Sequence, residues 1–570
     1  MKKELKKTLT IILSLAMLLS VFGCSRDENK TETGTGGSQS SQDTQVAHSG
    51  ALEDFEDPAR EADGQFLLTG GSFTASGSTF TITSSGEYTL RGRLEEGRIV
   101  VDAGDDDEVV LVLDDVYISS SQGPAILILN ADEVKIRCEK GTYNTLRDLR
   151  SGVDSDEVYD AAVWSDSDMK ITGEGILVVS SGYTNGIKSK NDLELKNLTL
   201  KVTSVGTALQ GNDSVTMENG NALVISTADK GIKTKDSDIS SKGNQRGDVS
   251  ILAGRLTIYS ASHGISSSHD VFIGSEEGDP EIYIYVSENS PFTDDVIKDA
   301  VSTGITSEGT ITVLSGLLSV QGTGDGLHAS GGVSLGNGNV SKGDIVLAGG
   351  EVIIQSGDDA IHADGRIELS GAEVTVPASH EGVEANVIEI SDGRLILNAT
   401  DDGINATAGN EKTAVYISGG YTDVTVTGDD VDAVDSNGDI TITGGTVIAR
   451  STCSVNGMAG SFDCDGTLTV TGGTVIGIGG ICKLPSADSV MVFVSEGLFL
   501  PPGSYVLASS DGTLLAEFAL ERDFTSVWVA SEHIELGGSY TLQRDGSGFL
   551  GWSQDSPSSG SYESGGPFKR

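Results

Sequence analysis

The sequence predicts an all-β chain wound as a parallel β-helix, with coils of 21–24 residues and three short strands in each. Three observations carry the prediction. A phrase returns along the chain as NGIKS (185–189), KGIKT (230–234), DGLHA (325–329), DAIHA (359–363) and DGINA (402–406). Aligned on its branched residue, it gives anchors at Ile187, Leu209, Ile232, Ile265, Ile305, Leu327, Ile361, Val383, Ile404 and Val434, with Met458 next. Their spacing is 21–24 residues, sometimes lengthened by an insertion, and a fixed period signals stacked repeats.

The second observation is the pair of columns beside the anchor. The residue before it is always Gly or Ala, and the residue two after it is Ser, Thr, Ala or Gly. Between them stands a polar residue: Lys188, Gln210, Lys233, Ser266, Thr306, His328, His362, Glu384, Asn405, Asp435. Period-two alternation is a strand with the anchor facing in and the polar residue facing out. Thirdly, each unit continues as strand, Gly-containing turn and strand, as in IELSGAEVTV (367–376), IEISDGRLIL (388–397) and ITITGGTVIA (440–449). Glycine permits the corner, and Val, Ile and Thr suit the flanking strands. Ten to thirteen such coils, roughly 4.8 Å apart, would extend for about 50–60 Å.

Composition agrees with a repeat body. Of 570 residues 75 are Gly and 10 are Pro, and 37% are hydrophobic. Eighty-four acidic against 37 basic residues give a net charge of −47. This argues against nucleic acid or an anionic membrane surface as partner, and favours cations or ligands held through cations.

Taken in order, residues 1–23 carry Lys2, Lys3, Lys6 and Lys7 and then an apolar run that ends before Cys24. This resembles a bacterial lipoprotein signal, with Cys24 as the lipidated residue. The apolar run is short for a membrane span. The body is therefore expected outside the cell, anchored to the bacterial membrane by lipid. Residues 24–62 are polar and Gly/Ser-rich, a tether. From 63 to about 150 the chain is strand-like but out of strict register, read as first coils plus a cap. Even there, Ala125-Ile126 and Ala162-Val163 look like earlier copies of the small-branched step. The stack is expected to end at 484, followed by a small antiparallel β cap over 485–546 and a Ser/Gly-rich disordered tail over 547–570. No CxxC occurs, and Cys453 with Cys464 is equally readable as a disulfide or as buried thiols.

The segments GEYTLRGRLEEGRIVVDA, VVLVLDDVYISSSQGPAILI, GTYNTL, NGIKSKNDLELKNLTL, KGIKTKD and VDAVDSNGDITITGGTV resemble a bacterial surface carbohydrate-binding family over roughly 65–480. The resemblance implies a right-handed parallel β-helix similar to pectate lyases, calcium as cofactor, and non-catalytic binding of plant-type polysaccharide, acidic pectic chains such as polygalacturonate above all. An insertion at 236–248 and an excursion at 275–300 interrupt the regular coils.

The residues themselves point to a cation site. Two before the anchor stand Asp325, Asp359, Glu381, Asp402 and Asp432, with Asp358, Asp401, Asp429 and Asp430 nearby and Asp435 in the outward column. Carboxylates on successive coils, about 5 Å apart, repel by ~1 kcal/mol in water and ~3 kcal/mol at an effective dielectric of 20. Calcium, with six to eight oxygen ligands, would turn repulsion into coordination. Alternatively each Asp closes its own turn through its side chain.

The outward column is the candidate ligand strip, with Lys188 and Lys233 in its first half and His328, His362, Glu384 and Asn405 in its second. A plain solvated strand face is the competing reading. Two other functions stand beside the binder. One is a β-helix lyase or polygalacturonase, for which Asp358-Asp359 and Asp401-Asp402 resemble fragments of an acid–base set, without the Gly-His-Gly and Arg-Ile-Lys elements that set requires. The other is a structural surface spacer or adhesin.

Overall fold

The computed structural model describes residues 62–152, 158–287, 302–335, 339–407, 412–452, 459–557 and 559–564. The signal segment, Cys24, the tether up to residue 61, Cys453 and Met458 lie outside these residues. No α-helix occurs among the described residues, and 42 strands enter one long sheet, most of them in parallel pairs.

The pairing follows one rule through most of the chain: a strand hydrogen-bonds to the strand three further on. Three parallel ladders result. The first runs through Asn185–Ser189, Leu209–Gly211, Ile232–Lys233, Ile265–Ser267, Ile305–Ser307 and Leu327–Ala329. The second includes Asp168–Gly173, Asp192–Lys196, Ser214–Met217 and Asp248–Ile251. The third includes Ile176–Ser181, Leu198–Ser204, Gly220–Ser226 and Arg255–Ser260. Two long strands, Ile361–Ser379 and Val383–Ala399, pass through all three ladders, with register shifts at the corners.

The anchor column is in register throughout. Ile187 lies opposite Leu209, and the series continues through Ile232, Ile265, Ile305, Leu327, Ile361, Val383, Ile404 and Val434. It extends back through Val163, Ile126 and Ile99 to Phe80, so the two early copies of the small-branched step belong to it. The register is unbroken across the insertion at 236–248 and the excursion at 275–300, within which Glu281–Val286 is itself a rung of the third ladder. Ile187, Leu209, Ile265, Ile305, Leu327 and Ile404 are fully buried. Each contributes about 1.5–3 kcal/mol by leaving water.

The small column has a steric cause. At Gly304 a Cβ would lie 2.2 Å from Val320 Cγ1 and 2.6 Å from the Gly326 carbonyl oxygen; the same pattern occurs at Gly264 and Gly326. At these glycines the strand enters the corner too close to the next rung for a methyl group, whereas Ala208, Ala360 and Ala433 occupy the same column fully buried.

Both ends of the ladders are closed. Leu67–Gly70 pairs antiparallel with Gly86–Leu94, and Phe73–Ser76 with Thr79–Ile82. At the other end the last rung of the first ladder is covered by the Asp463 and Asp465 amides, which donate to Val434 O and Ser436 O. Ser486 and Val490 do the same for Leu468–Val470 in the second. The third ends when Thr474–Gly479 pairs antiparallel with Phe524–Ser531, which in turn pairs with Val492–Leu500. A separate five-stranded antiparallel sheet follows. It includes Ser547–Ser556 and Ser559–Ser564, where the sequence led us to expect a tail. Leu550 and Trp552, two apart, are both buried, and Trp552 stacks on Phe493 at 4.2 Å. That alternation pins a segment whose Ser and Gly content masks it.

Candidate ligand strip and metal site

The residue after each anchor forms an outward column in register from Lys188 to Asp435. Its character changes along the ladder. Three rungs before Lys188 are apolar: Val100, Leu127 and Trp164 are buried, with Tyr159 edge-on to Trp164 at 4.9 Å. The polar strip therefore begins at Lys188, whose ammonium binds the Asp160 carboxylate at 2.8 Å. Gln210 is buried and donates to Asn212. Lys233 is half-buried near Lys230, whose pKa is lowered first by burial and also by the Lys233 charge.

Two histidines follow on adjacent rungs. His328 Nδ1 is 2.7 Å from Asp325 Oδ2, and His362 Nδ1 is 2.6 Å from Asp359 Oδ2. An ionised carboxylate can only accept, so each Nδ1 carries the proton. The rings stand 4.6 Å apart between centroids. The hydrogen bond to Asp359 outweighs burial and pushes the His362 pKa up to about 9. Two of the expected calcium ligands, Asp325 and Asp359, thus each give one oxygen to an imidazole. Asp358 is exposed beside them, and one oxygen from each of the three can approach within 4.8 Å of the others.

Beyond His362 the donors become oxygens alone. Glu381 interacts with Glu384 and accepts from Asn405 Nδ2 at 3.3 Å; burial first and Glu384 next push its pKa up to about 8. Asp402 Oδ1 accepts the Asp432 amide at 2.7 Å, and Asp432 Oδ1 accepts the Gly460 amide at 2.6 Å. Each of these two thus gives one oxygen to an amide of the next rung, not to its own turn. Burial is nonetheless the largest influence, and it drives Asp402 up to about 6 and Asp432 up to about 8, aided by neighbouring carboxylates. Asp435 is raised for the same first reason. Asp401 approaches His380 and Glu381, whereas Asp429 and Asp430 are exposed. Half-buried carboxylates that resist ionisation together, with backbone and amide oxygens at hand, are a donor set that suits a hard cation.

The same side-chain-to-next-rung closure occurs in a second column that the repeat phrase does not reveal. Asp270 Oδ1 accepts the Thr310 amide at 2.7 Å, Asp344 Oδ1 that of Arg366 at 2.8 Å, and Asp439 Oδ1 that of Thr467 at 3.0 Å. These stand one residue before, or at the start of, the strands of the second ladder. The signal is an Asp directly ahead of Val271-Phe272-Ile273, Ile345-Val346-Leu347 and Ile440-Thr441-Ile442, which is visible only once the second ladder is aligned.

Cys138 is buried, and Cys464 is buried near Lys483, which donates to the Cys464 carbonyl at 2.8 Å.

Comparison with known proteins brings one family forward. The family model described as carbohydrate-binding domain-containing protein matches residues 76–344 and 340–480. A carbohydrate-binding domain-containing protein of Acetivibrio thermocellus is 38% identical over 125 residues, 21% of this chain and 44% of that protein. The chain thus spans less than half the length of that relative. Among solved structures, the gadolinium derivative of a polysaccharide lyase-like protein from C. thermocellum is 30% identical, covering 39% of this chain and 91% of that one, with a TM-score of 0.32.

Proposed function

From the premise that this chain belongs to the carbohydrate-binding domain-containing family, we propose that it binds acidic polysaccharide without cleaving it, through calcium held on the outward strip. The observation that carries the proposal is the all-oxygen run Glu381, Glu384, Asp402, Asn405, Asp432 and Asp435, where half-buried carboxyls share one face of the first ladder. A cation that draws these oxygens together keeps free coordination positions for a uronate carboxylate, which an acidic strip would otherwise repel. Pectic chains such as polygalacturonate fit that chemistry. Lys233 supplies a direct cationic contact further along the same strip.

We also propose the right-handed winding, since parallel strand crossovers take that hand in ~98% of cases. A lipid anchor at Cys24 would hold the body at the bacterial cell surface.

The test is titration with polygalacturonate in millimolar calcium and again in chelator, while unsaturated and reducing ends are followed. Calcium-dependent binding with no release supports the proposal. Release of new ends would make the chain an enzyme acting through pairs such as Asp401-Asp402. No binding in either condition would favour a structural spacer.

A further inference from the structure

A second metal chemistry is written into the same ladder, one rung from where the oxygen run begins. His328 and His362 occupy consecutive rungs, each with its Nδ1 fixed on an aspartate three residues earlier, Asp325 at 2.7 Å and Asp359 at 2.6 Å. Fixing Nδ1–H on a carboxylate leaves Nε2 as the atom each ring can offer a metal, which binds there by displacing any proton on Nε2. Asp364 Oδ1 lies 3.6 Å from His362 Nε2, and one ligand atom from each of His328, His362 and Asp364 falls within 4.8 Å of the others.

We propose that His328, His362 and Asp364 form a site for a zinc-class divalent transition metal, with Asp325 and Asp359 as the carboxylates that orient the two imidazoles. Tetrahedral zinc with bonds of ~2.0–2.1 Å places its donors roughly 3.3–3.5 Å apart. The Asp364 to His362 separation already matches, and the half-exposed Asp364 side chain is able to rotate. The two rings face each other 4.6 Å apart with their planes tilted by 36°.

The carboxylate–imidazole–metal arrangement is the usual way in which proteins select a tautomer for metal binding. Nitrogen donors also separate this site from the calcium strip: imidazole favours zinc, copper and nickel, whereas calcium takes oxygen. The two sites would accordingly differ in the metal they prefer while meeting at Glu384, which pairs with His362 on the next rung, and the transition-metal site does not depend on any glycan. Three protein ligands leave one position open to water on the outward face.

The experiment is a zinc titration of the full chain by calorimetry in millimolar calcium, paired with cobalt substitution read by visible absorption. One zinc per chain and a tetrahedral cobalt spectrum are expected. His328→Ala and His362→Ala should each weaken zinc binding on the order of 100-fold and abolish the cobalt bands. Asp364→Asn, on an exposed side chain with no structural duty, should weaken it about 10-fold or more. Asp359→Asn should weaken it ~10–100-fold through loss of imidazole orientation. Asp432→Asn should leave the cobalt spectrum unchanged. Stoichiometric zinc binding that survives the double histidine variant, zinc binding lost in Asp432→Asn, or no zinc binding at all would each overturn the proposal.

Discussion

Replacing Gly304 by alanine tests the packing logic of the first ladder at one atom. The added Cβ would lie 2.2 Å from Val320 Cγ1 and 2.6 Å from the Gly326 carbonyl oxygen. Both are far inside contact distance, and the second belongs to backbone that also accepts the Ile305 amide at 3.0 Å. Overpacking of this kind costs about 1–3 kcal/mol. Alanine simultaneously lowers the entropy of the unfolded chain, which returns ~0.4–1 kcal/mol. The net expectation is a loss of ~1–2 kcal/mol, read as a lower denaturant midpoint and faster hydrogen exchange at the Ile305 and Leu327 amides. The converse change supplies the control. Ala360→Gly removes a fully buried methyl worth ~0.8 kcal/mol and restores unfolded-state entropy, so it also destabilises, by ~1–2 kcal/mol. Combining Gly304→Ala with Val320→Ala should cost less than the sum of the two, since the second removes the 2.2 Å clash. A neutral or stabilising Gly304→Ala would refute the view that rung spacing at the corner forbids a methyl there.

Chelation should lower the melting temperature of the wild-type chain, because a cation at a hundred times its Kd adds ~2.7 kcal/mol. Glu381→Gln should erase that calcium dependence while raising the chelator melting temperature, since it removes one of two interacting carboxylates; an unaltered calcium shift in the variant counts against the strip as the site. Arg450 is buried and paired with Asp423, so Arg450→Ala should cost about 3–5 kcal/mol by leaving that carboxylate without its cation and with the Tyr421 hydroxyl as remaining donor, whereas Asp423→Asn in the same background should recover part of it. A loss under 1 kcal/mol in urea unfolding would contradict that. Burial pushes the Cys138 thiol up to about 12, so its alkylation at neutral pH should proceed only as fast as the surrounding rungs open. Immediate native-state labelling would be incompatible with the described core.

The first ladder was legible because its inward residues are branched, its corner residues small and its outward residues polar, a pattern that no other secondary structure imitates at this period. Val163 and Ile126 extended it backwards as the small-branched step foretold, and Ile99, preceded by Arg98, follows them unannounced; their outward neighbours, Trp164, Leu127 and Val100, are covered apolar rungs. Nothing in the spacing shows that cover, which needs Tyr159 to come in from outside the ladder. The acidic column was legible as a column and not as a set of roles. Asp359 holds an imidazole, Asp402 accepts an amide of the next rung and Glu381 faces another carboxylate, and the difference lies in which residues stand nearby in the fold. One sequence carries no rung-to-rung distances, so these duties look alike until the chain is folded. The strand Ser547–Ser556 was hidden by its Ser and Gly, with only Leu550 and Trp552 to mark its buried side.

The closure of both ladder ends has a consequence for how copies of this chain meet. A parallel ladder is a template at each terminus: its last rung offers a row of amides and carbonyls that an identical first rung could satisfy. Here the Asp463, Asp465, Ser486 and Val490 amides and the antiparallel strand Phe524–Ser531 occupy those acceptors, while Leu67–Gly70 turns the opposite end antiparallel. Head-to-tail growth into fibrils is thereby denied a starting edge, so that crowding of copies does not by itself join them end to end.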